Sequence, residues 1–315
     1  GESKMTDVLI VGAGPAGLTA AIYVTRAGLK ATAFDKQIYG GQLVLTGEIE
    51  NYPAMATTDG PQLATDLYAH ATGLGAEVKL EEVTSVELAG DVKKVHTPQG
   101  TYEGRAIILA GGAVRRRLGC PGEDKYGGRG VSYCATCDAA LYRGKDVAIV
   151  GGGNTALEDA LFLSNNCNKV YLIHRRDEFR GDIPKQEAVK ARDNIEILYS
   201  STVSSIEGNE TVSTVLVNTL DGERKLEVSG IFVAVGLVPE SALFAGMIPT
   251  DEEGYVASDE TCTTPLDGVF VAGDIRAKPL RQIVTATSDG AVAAVAAASY
   301  LSAHNTNLCA SPIAP

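Results

Sequence analysis

Two cysteines three residues apart, Cys134 and Cys137, followed at once by Asp138, carry the most reactive chemistry in the chain. In one helical turn their Cα atoms would lie ~5–6 Å apart, within disulfide range. A helix N-terminus lowers a thiol pKa and makes thiolate available for exchange. If burial raises the pKa of Asp138, it can donate a proton to a leaving thiolate; the plainer alternative is an acid favoured at a helix start by the macrodipole. The pair could also be half of a zinc site, but the sequence holds no second CxxC, and no metal is expected. Cys120, Cys167, Cys262 and Cys309 stand alone and read as small buried or surface residues.

The dithiol lies between two glycine-rich turns. The first reads Gly12, Ala13, Gly14, Pro15, Ala16, Gly17. In such a turn the first glycine permits the bend, the second lets a diphosphate approach the backbone, and the third lets helix pack on strand. Asp35, 23 residues past Gly12, stands where a carboxylate can accept bonds from ribose hydroxyls. The second turn reads Gly151, Gly152, Gly153, Asn154, Thr155, Ala156. No acid follows its second strand. His174, Arg175 and Arg176 stand there instead, with Arg180 four residues on. A carboxylate would repel a ribose 2′-phosphate, whereas guanidinium groups clamp it, so this turn is expected to take NADPH rather than NADH. A solvated charged loop is the alternative.

Both turns must be presented by strands, and the sequence repeats the strand–turn–helix–strand unit. Residues 7–12 resemble residues 146–151 at an offset of 139 that holds without gaps into the next strand. The pattern predicts strands over 6–11 and 30–35, a helix over 15–27 closed by Gly28, and a helix over 60–74. Antiparallel strands are expected over 77–95 and a buried strand over 105–110. Further strands are expected over 195–216, 225–235 and 269–272, and a long helix over 282–303. Breaks at 111–112 and 236–239 bracket the second unit. The expected fold class is α/β: two Rossmann-like (three-layer ββα) dinucleotide-binding domains, one inserted in the other. The outer domain takes residues 1–112 and 241–315, and the inner one residues 113–240.

Composition narrows the function. The chain has 315 residues, 35 Gly and a formal net charge of −12, which disfavours nucleic acid and anionic membranes as partners. Its six Cys are too few for a disulfide scaffold, and no apolar run is long enough to span a bilayer, so a reducing cytoplasm is expected.

The ordered motifs GAGPAG at Gly12, GGQL at Gly40, ENYP at Glu50, SYCATCD at Ser132, GGGNTA at Gly151, HRRDEFR at His174 and AGDI at Ala272 carry a resemblance almost end to end. The chain resembles bacterial low-molecular-weight thioredoxin reductases. The resemblance implies that the outer domain binds FAD through Gly12, Gly14, Pro15, Ala16, Gly17, Asp35, Gly41, Gln42 and Asn51. Gly273 and Asp274 would meet the ribityl side, with Arg281, Gln282 and Ile283 at the isoalloxazine. The inner domain would bind NADPH through Gly151, Gly153, Asn154, Thr155 and His174, with Arg175, Arg176 and Arg180 on the 2′-phosphate.

It further implies that Cys137 faces the flavin, that Cys134 attacks thioredoxin, and that Asp138 serves as proton donor. A homodimer is implied, whose inner domains rotate about the breaks at 111–112 and 236–239. Ala140 and Leu141 depart from the family, which carries two Phe there to grip thioredoxin; Arg129 keeps a basic residue where the family contacts its substrate. The run Arg115, Arg116, Arg117, near an expected hinge, reads as a solvated face rather than a dock for an acidic partner. Flavin dithiol oxidases and ferredoxin-fed reductases lack the arginine set. A peroxide-defence flavoprotein carries an extra dithiol domain at its N-terminus, which is not expected here. An NADPH sensor would have no need of paired thiols.

Overall fold

The computed structural model describes residues 5–36, 38–46 and 48–305. Cys309 lies outside them. Six α-helices follow one another along the described chain: α1 (Pro15–Arg26), α2 (Gly60–Gly73), α3 (Ala135–Asp138), α4 (Asn154–Ser164), α5 (Ile183–Lys190) and α6 (Ile283–Asn305). The chain divides into two compact units. One joins the residues up to Val114 with those from Val238 onward; the other is Arg115–Leu237.

In the first unit, strand Met5–Val11 lies between Ala31–Asp35 and Gly100–Leu109, parallel to both. Its residues Leu9 and Ile10 are fully buried, as are Ile107 and Ile108 opposite; each such side chain stabilises the core by roughly 1.5–3 kcal/mol. Glu77–Leu80 adds to the far side of Ala31–Asp35, again in parallel. Antiparallel pairing, expected over 77–95, holds only beyond residue 80. The reason is the helix α2 ahead of Glu77: a strand reached through a crossover helix returns parallel. Besides Met5–Val11, the long strand Gly100–Leu109 serves two more partners on its other edge. Its first half pairs antiparallel with Lys93–Thr97, and its last residues pair in parallel with Val269–Val271.

Helix α6 is alanine-rich because it runs against α1 at close range. A Cβ on Gly290 would come within 2.2 Å of the carbonyl oxygen of Ala16, so only glycine fits there. No helix among the described residues is long and apolar enough to cross a membrane.

The second unit repeats the plan. Asp146–Val150 lies between Lys169–Ile173 and Gly230–Val233; Ile195–Leu198 and Val131–Ser132 complete a five-stranded parallel sheet. Thr202–Gly208, Val212–Thr219 and Gly222–Glu227 form a separate antiparallel meander. Apolar alternation ran on through residues 195–216 and 225–235, which hid the turns. Residues 222–227 and 230–233 belong to different sheets. Both units thus have the β-meander, parallel sheet and helix of a ββα dinucleotide-binding fold.

The chain crosses between the units at Ala113–Arg115 and Leu237–Pro239, and these two segments pair with each other. Hydrogen bonds flank the pair, from Arg116 N to Gly236 O and from Glu240 N to Gly112 O, both 3.0 Å.

Candidate functional site

Cys134 and Cys137 are joined by a disulfide, their Cα atoms 5.3 Å apart. The turn that presents them is short. Cys134 is extended and caps α3, which lasts four residues before a 3-10 turn at Ala139–Tyr142. The helix expected at this motif is therefore a single turn, and the dipole behind Cys134 is correspondingly small. Ser132 instead fixes the entry: its Oγ accepts from Cys134 N at 3.1 Å. Cys137 N and Asp138 N both donate to the Cys134 carbonyl, at 3.3 and 3.2 Å.

Burial raises Asp138 above the ordinary carboxylate range, against a hydrogen bond from Ser132 and the charge of Arg115. A carboxyl so placed holds a proton more readily than a solvated one. Glu123, missed by sequence reasoning, lies nearby in the chain. It is 3% exposed and accepts from Leu118 N, Gly119 N and the hydroxyl of Tyr133. The Arg115 guanidinium lies 5.7 Å from the Tyr133 ring centroid. Arg117 pairs with Asp124. Ala140 and Leu141 are both exposed.

The second glycine-rich turn belongs to the same unit. Gly151 has φ +156° and donates to Ile173 O at 3.0 Å. The loop that follows the next strand folds back over the turn. Arg180 N donates to Gly152 O at 2.8 Å, and Asp182 N donates to Asn154 Oδ1 at 2.7 Å. His174 is buried against Gly152, where a Cβ would meet its ring at 2.2 Å. Its Nε2 donates to the carbonyl of Glu178 at 2.9 Å. Burial lowers the His174 pKa, and the charges of Arg176, Arg180 and Arg175 add to that. His174 is thus a strut for the loop, while Arg175, Arg176 and Arg180 are all exposed. Nothing lies within 4 Å of where a Gly153 Cβ would be, and no side chain caps α4.

In the first unit Gly12 has φ +103°, and a Cβ there would meet Ala110 O at 2.2 Å. A Cβ on Gly17 would lie 1.8 Å from Gly12 O, so the helix sits directly on the turn. Gly14 instead faces Gly41, whose Cβ would come within 3.2 Å of the Gly14 Cα. Helix α1 begins after Gly14 with Pro15 at its first turn and Ala16 buried next; it has no side-chain cap and no acid in that turn. Asp35 Oδ2 accepts from Ala13 N at 3.0 Å, and Oδ1 from Lys36 N at 2.8 Å. Burial raises Asp35, and those two bonds oppose it.

Distant segments converge beside this turn. Asn51 Nδ2 donates to Gln282 Oε1 at 3.2 Å across 231 residues. Ile283 packs on the cluster of Leu43, Ile49, Leu63 and Ala64, just beyond Gln42. Arg281 is turned inward: its Nε donates to Asp274 O at 3.0 Å, and its guanidinium lies 3.7 Å from the Tyr255 ring centroid. Gly273, at φ +83°, donates its N–H to Asp289, a residue that sequence reasoning also missed. An acid inside an alanine-rich helix was the available signal. No group of three or more His, Cys, Asp or Glu among the described residues could hold a metal ion.

Residues 6–290 match the family model described as pyridine nucleotide-disulphide oxidoreductase. The chain belongs to this family. It is 43% identical to the thioredoxin reductase of Listeria innocua over 303 residues, 95% of each protein. It is 40% identical to the thioredoxin reductase of Bacillus subtilis, over 95% of this chain and 96% of that one. The crystal structure of thioredoxin reductase from Streptococcus pyogenes superposes with a TM-score of 0.91 at 39% identity, covering 95% of this chain and 99% of that one.

Proposed function

We propose that the chain is an NADPH-dependent thioredoxin reductase, a flavoprotein in which electrons pass from NADPH by FAD to the Cys134–Cys137 disulfide and on to oxidised thioredoxin. The observation that carries this reading is the disulfide itself, formed beside a half-buried acid in the same unit as an arginine-flanked glycine-rich turn.

The residues of the first unit fit a dinucleotide. Gly14 and Gly41 offer a backbone surface free of side chains, next to the uncapped start of α1, which favours a diphosphate. Asp35 lies at the end of the next strand, suited to ribose hydroxyls. Gln42, Asn51, Gly273, Asp274, Arg281, Gln282 and Ile283 would form the flavin end. When bound, FAD accepts hydride from a nicotinamide and returns electrons to a disulfide. In the second unit Gly151, Gly153, Asn154 and Thr155 would hold NADPH, with Arg175, Arg176 and Arg180 on its 2′-phosphate and His174 shaping their loop.

After reduction, the Cys134 thiolate attacks one sulfur of the thioredoxin disulfide and releases the other as a thiolate. Cys137 then attacks the Cys134 sulfur of the mixed disulfide. This re-forms the Cys134–Cys137 bond and frees the second thioredoxin thiol. Asp138 carries the proton between the cysteines and the leaving sulfur. Ala140 and Leu141 present a smaller apolar grip than two Phe would. The resemblance adds a homodimer, rotation about the breaks at 111–112 and 236–239, and a cytoplasmic location.

Anaerobic titration decides the matter. NADPH should bleach the absorbance of bound FAD, and oxidised thioredoxin should restore it. A chain that takes up no FAD, or whose disulfide survives excess NADPH, would overturn the proposal.

A further inference from the structure

The segment between strand Val269–Val271 and helix α6 is residues 272–282, and one buried carboxylate ties down several of them. Asp289 lies two turns into α6 and is 5% exposed. Its Oδ2 accepts from Gly273 N at 2.9 Å, from Arg276 Nε at 2.9 Å and from Lys278 Nζ at 2.7 Å; its Oδ1 accepts from Arg276 Nη2 at 3.1 Å. Arg276 and Lys278 are themselves buried, with 2% and 6% of their side chains exposed. Arg276 reaches onward through Nη1 to the carbonyls of Ser258 and Asp259, at 3.2 and 2.6 Å. Burial opposes ionisation of Asp289, but the two cations outweigh it and hold the carboxyl below its ordinary range.

Two cations against one carboxylate are more than the core needs for neutrality. Glu260 approaches Arg276 at 3.8 Å but is 93% exposed. A buried ion cluster is a weak net source of stability compared with apolar packing, yet losing one partner from it is costly. Here it fixes the path of one loop. Gly273 is pinned by its N–H, and Arg276 and Lys278 by their charged ends. Arg281 bonds the carbonyls of Asp274 and Arg276 and so draws the rest of the loop onto the same anchor.

We propose that Asp289 is a positioning residue for the flavin: by holding Gly273, Arg276 and Lys278 at one carboxylate, it sets the loop that presents Asp274, Arg281 and Gln282. The proposal rests on the FAD reading of this unit. Asp289 does not touch the cofactor in this scheme; it acts through the loop.

The test compares Asp289→Asn and the double variant Asp289→Asn/Lys278→Met with the unaltered full-length chain. The double variant restores the native sum of charges but not the shared anchor. FAD dissociation is followed by flavin fluorescence on dilution, and the melting temperature of each flavin-free chain by circular dichroism. Both variants should bind FAD at least ~10-fold more weakly, the equivalent of one charge-assisted hydrogen bond. The double variant should nonetheless melt several degrees above the single one. If Asp289→Asn does not fold, the double variant alone decides. Recovery of FAD affinity in step with melting temperature would overturn the proposal, because the cluster would then merely stabilise. Equal affinity in all three chains would overturn it as well. Failure of the unaltered chain to bind FAD would sink the flavin reading itself, and this proposal with it.

Discussion

The hydroxyl of Tyr133 donates to Oε1 of Glu123 at 2.7 Å, one residue before the reactive Cys134. Glu123 also gathers the N–H groups of Leu118 and Gly119, so a single buried carboxylate ties the 118–123 turn to the segment that enters the dithiol. Tyr133→Phe removes one of three bonds and should cost ~1–2 kcal/mol in urea unfolding. Glu123→Ala strands the other donors as well and should cost more, ~3 kcal/mol. Equal losses in the two variants would mean that the backbone contacts contribute nothing.

Asp159, inside α4, predicts a pH dependence. Burial pushes it up to about 7, with the Glu158 charge adding and Arg115 opposing. A carboxyl whose folded pKa is raised contributes stability that is fully present below its unfolded pKa and is lost as pH rises through the folded value. Moving from the ordinary 3.8 to about 7 corresponds to ~4 kcal/mol. Asp159→Asn should therefore gain on the unaltered chain between pH 4 and pH 8 by up to that amount. Urea midpoints at several pH values would reveal it; a constant gap across the range would contradict it.

Gly152 and His174 should be coupled. Gly152→Ala drives a methyl group into the imidazole and breaks its bond to Glu178, at a cost of ~2 kcal/mol or more. In a His174→Ala background the same change should cost under ~1 kcal/mol. A double-mutant cycle measures the difference, and strict additivity would refute it.

The exposed pair Arg175 and Arg176 predicts cofactor choice. Changing both to Ala should raise the KM for NADPH at least ~10-fold and leave that for NADH within ~2-fold, since only the phosphate loses its partners. An unchanged ratio would place the phosphate clamp elsewhere.

Cys134→Ser should abolish thioredoxin reduction but leave reduction of the flavin by NADPH intact. Stopped-flow absorbance separates the two steps. Loss of both would reverse the roles given to Cys134 and Cys137.

Local physics was readable from the chain, and remote pairing was not. Gly12 and Gly17 announce themselves, because a turn and a helix that approach within a Cβ's reach of each other tolerate little else. The three-residue spacing of Cys134 and Cys137 allows the disulfide that the structure forms. Strand Glu77–Leu80 was misassigned because alternation gives a strand but not its direction, which α2 decides. The short α3 escaped because nothing in CATCD says that its helix stops after one turn. Asn51 with Gln282, Glu123 with Tyr133 and Gly273 with Asp289 are single side-chain contacts set by the tertiary fold. No periodicity encodes them.

The two crossings at Ala113–Arg115 and Leu237–Pro239 run side by side, with backbones spaced roughly as in any sheet, ~5 Å. The outer unit therefore sees its guest as little more than a hairpin loop. Apart from the crossings themselves, no strand within residues 115–237 joins a sheet of the first unit among the described residues, so the host core closes without those 123 residues.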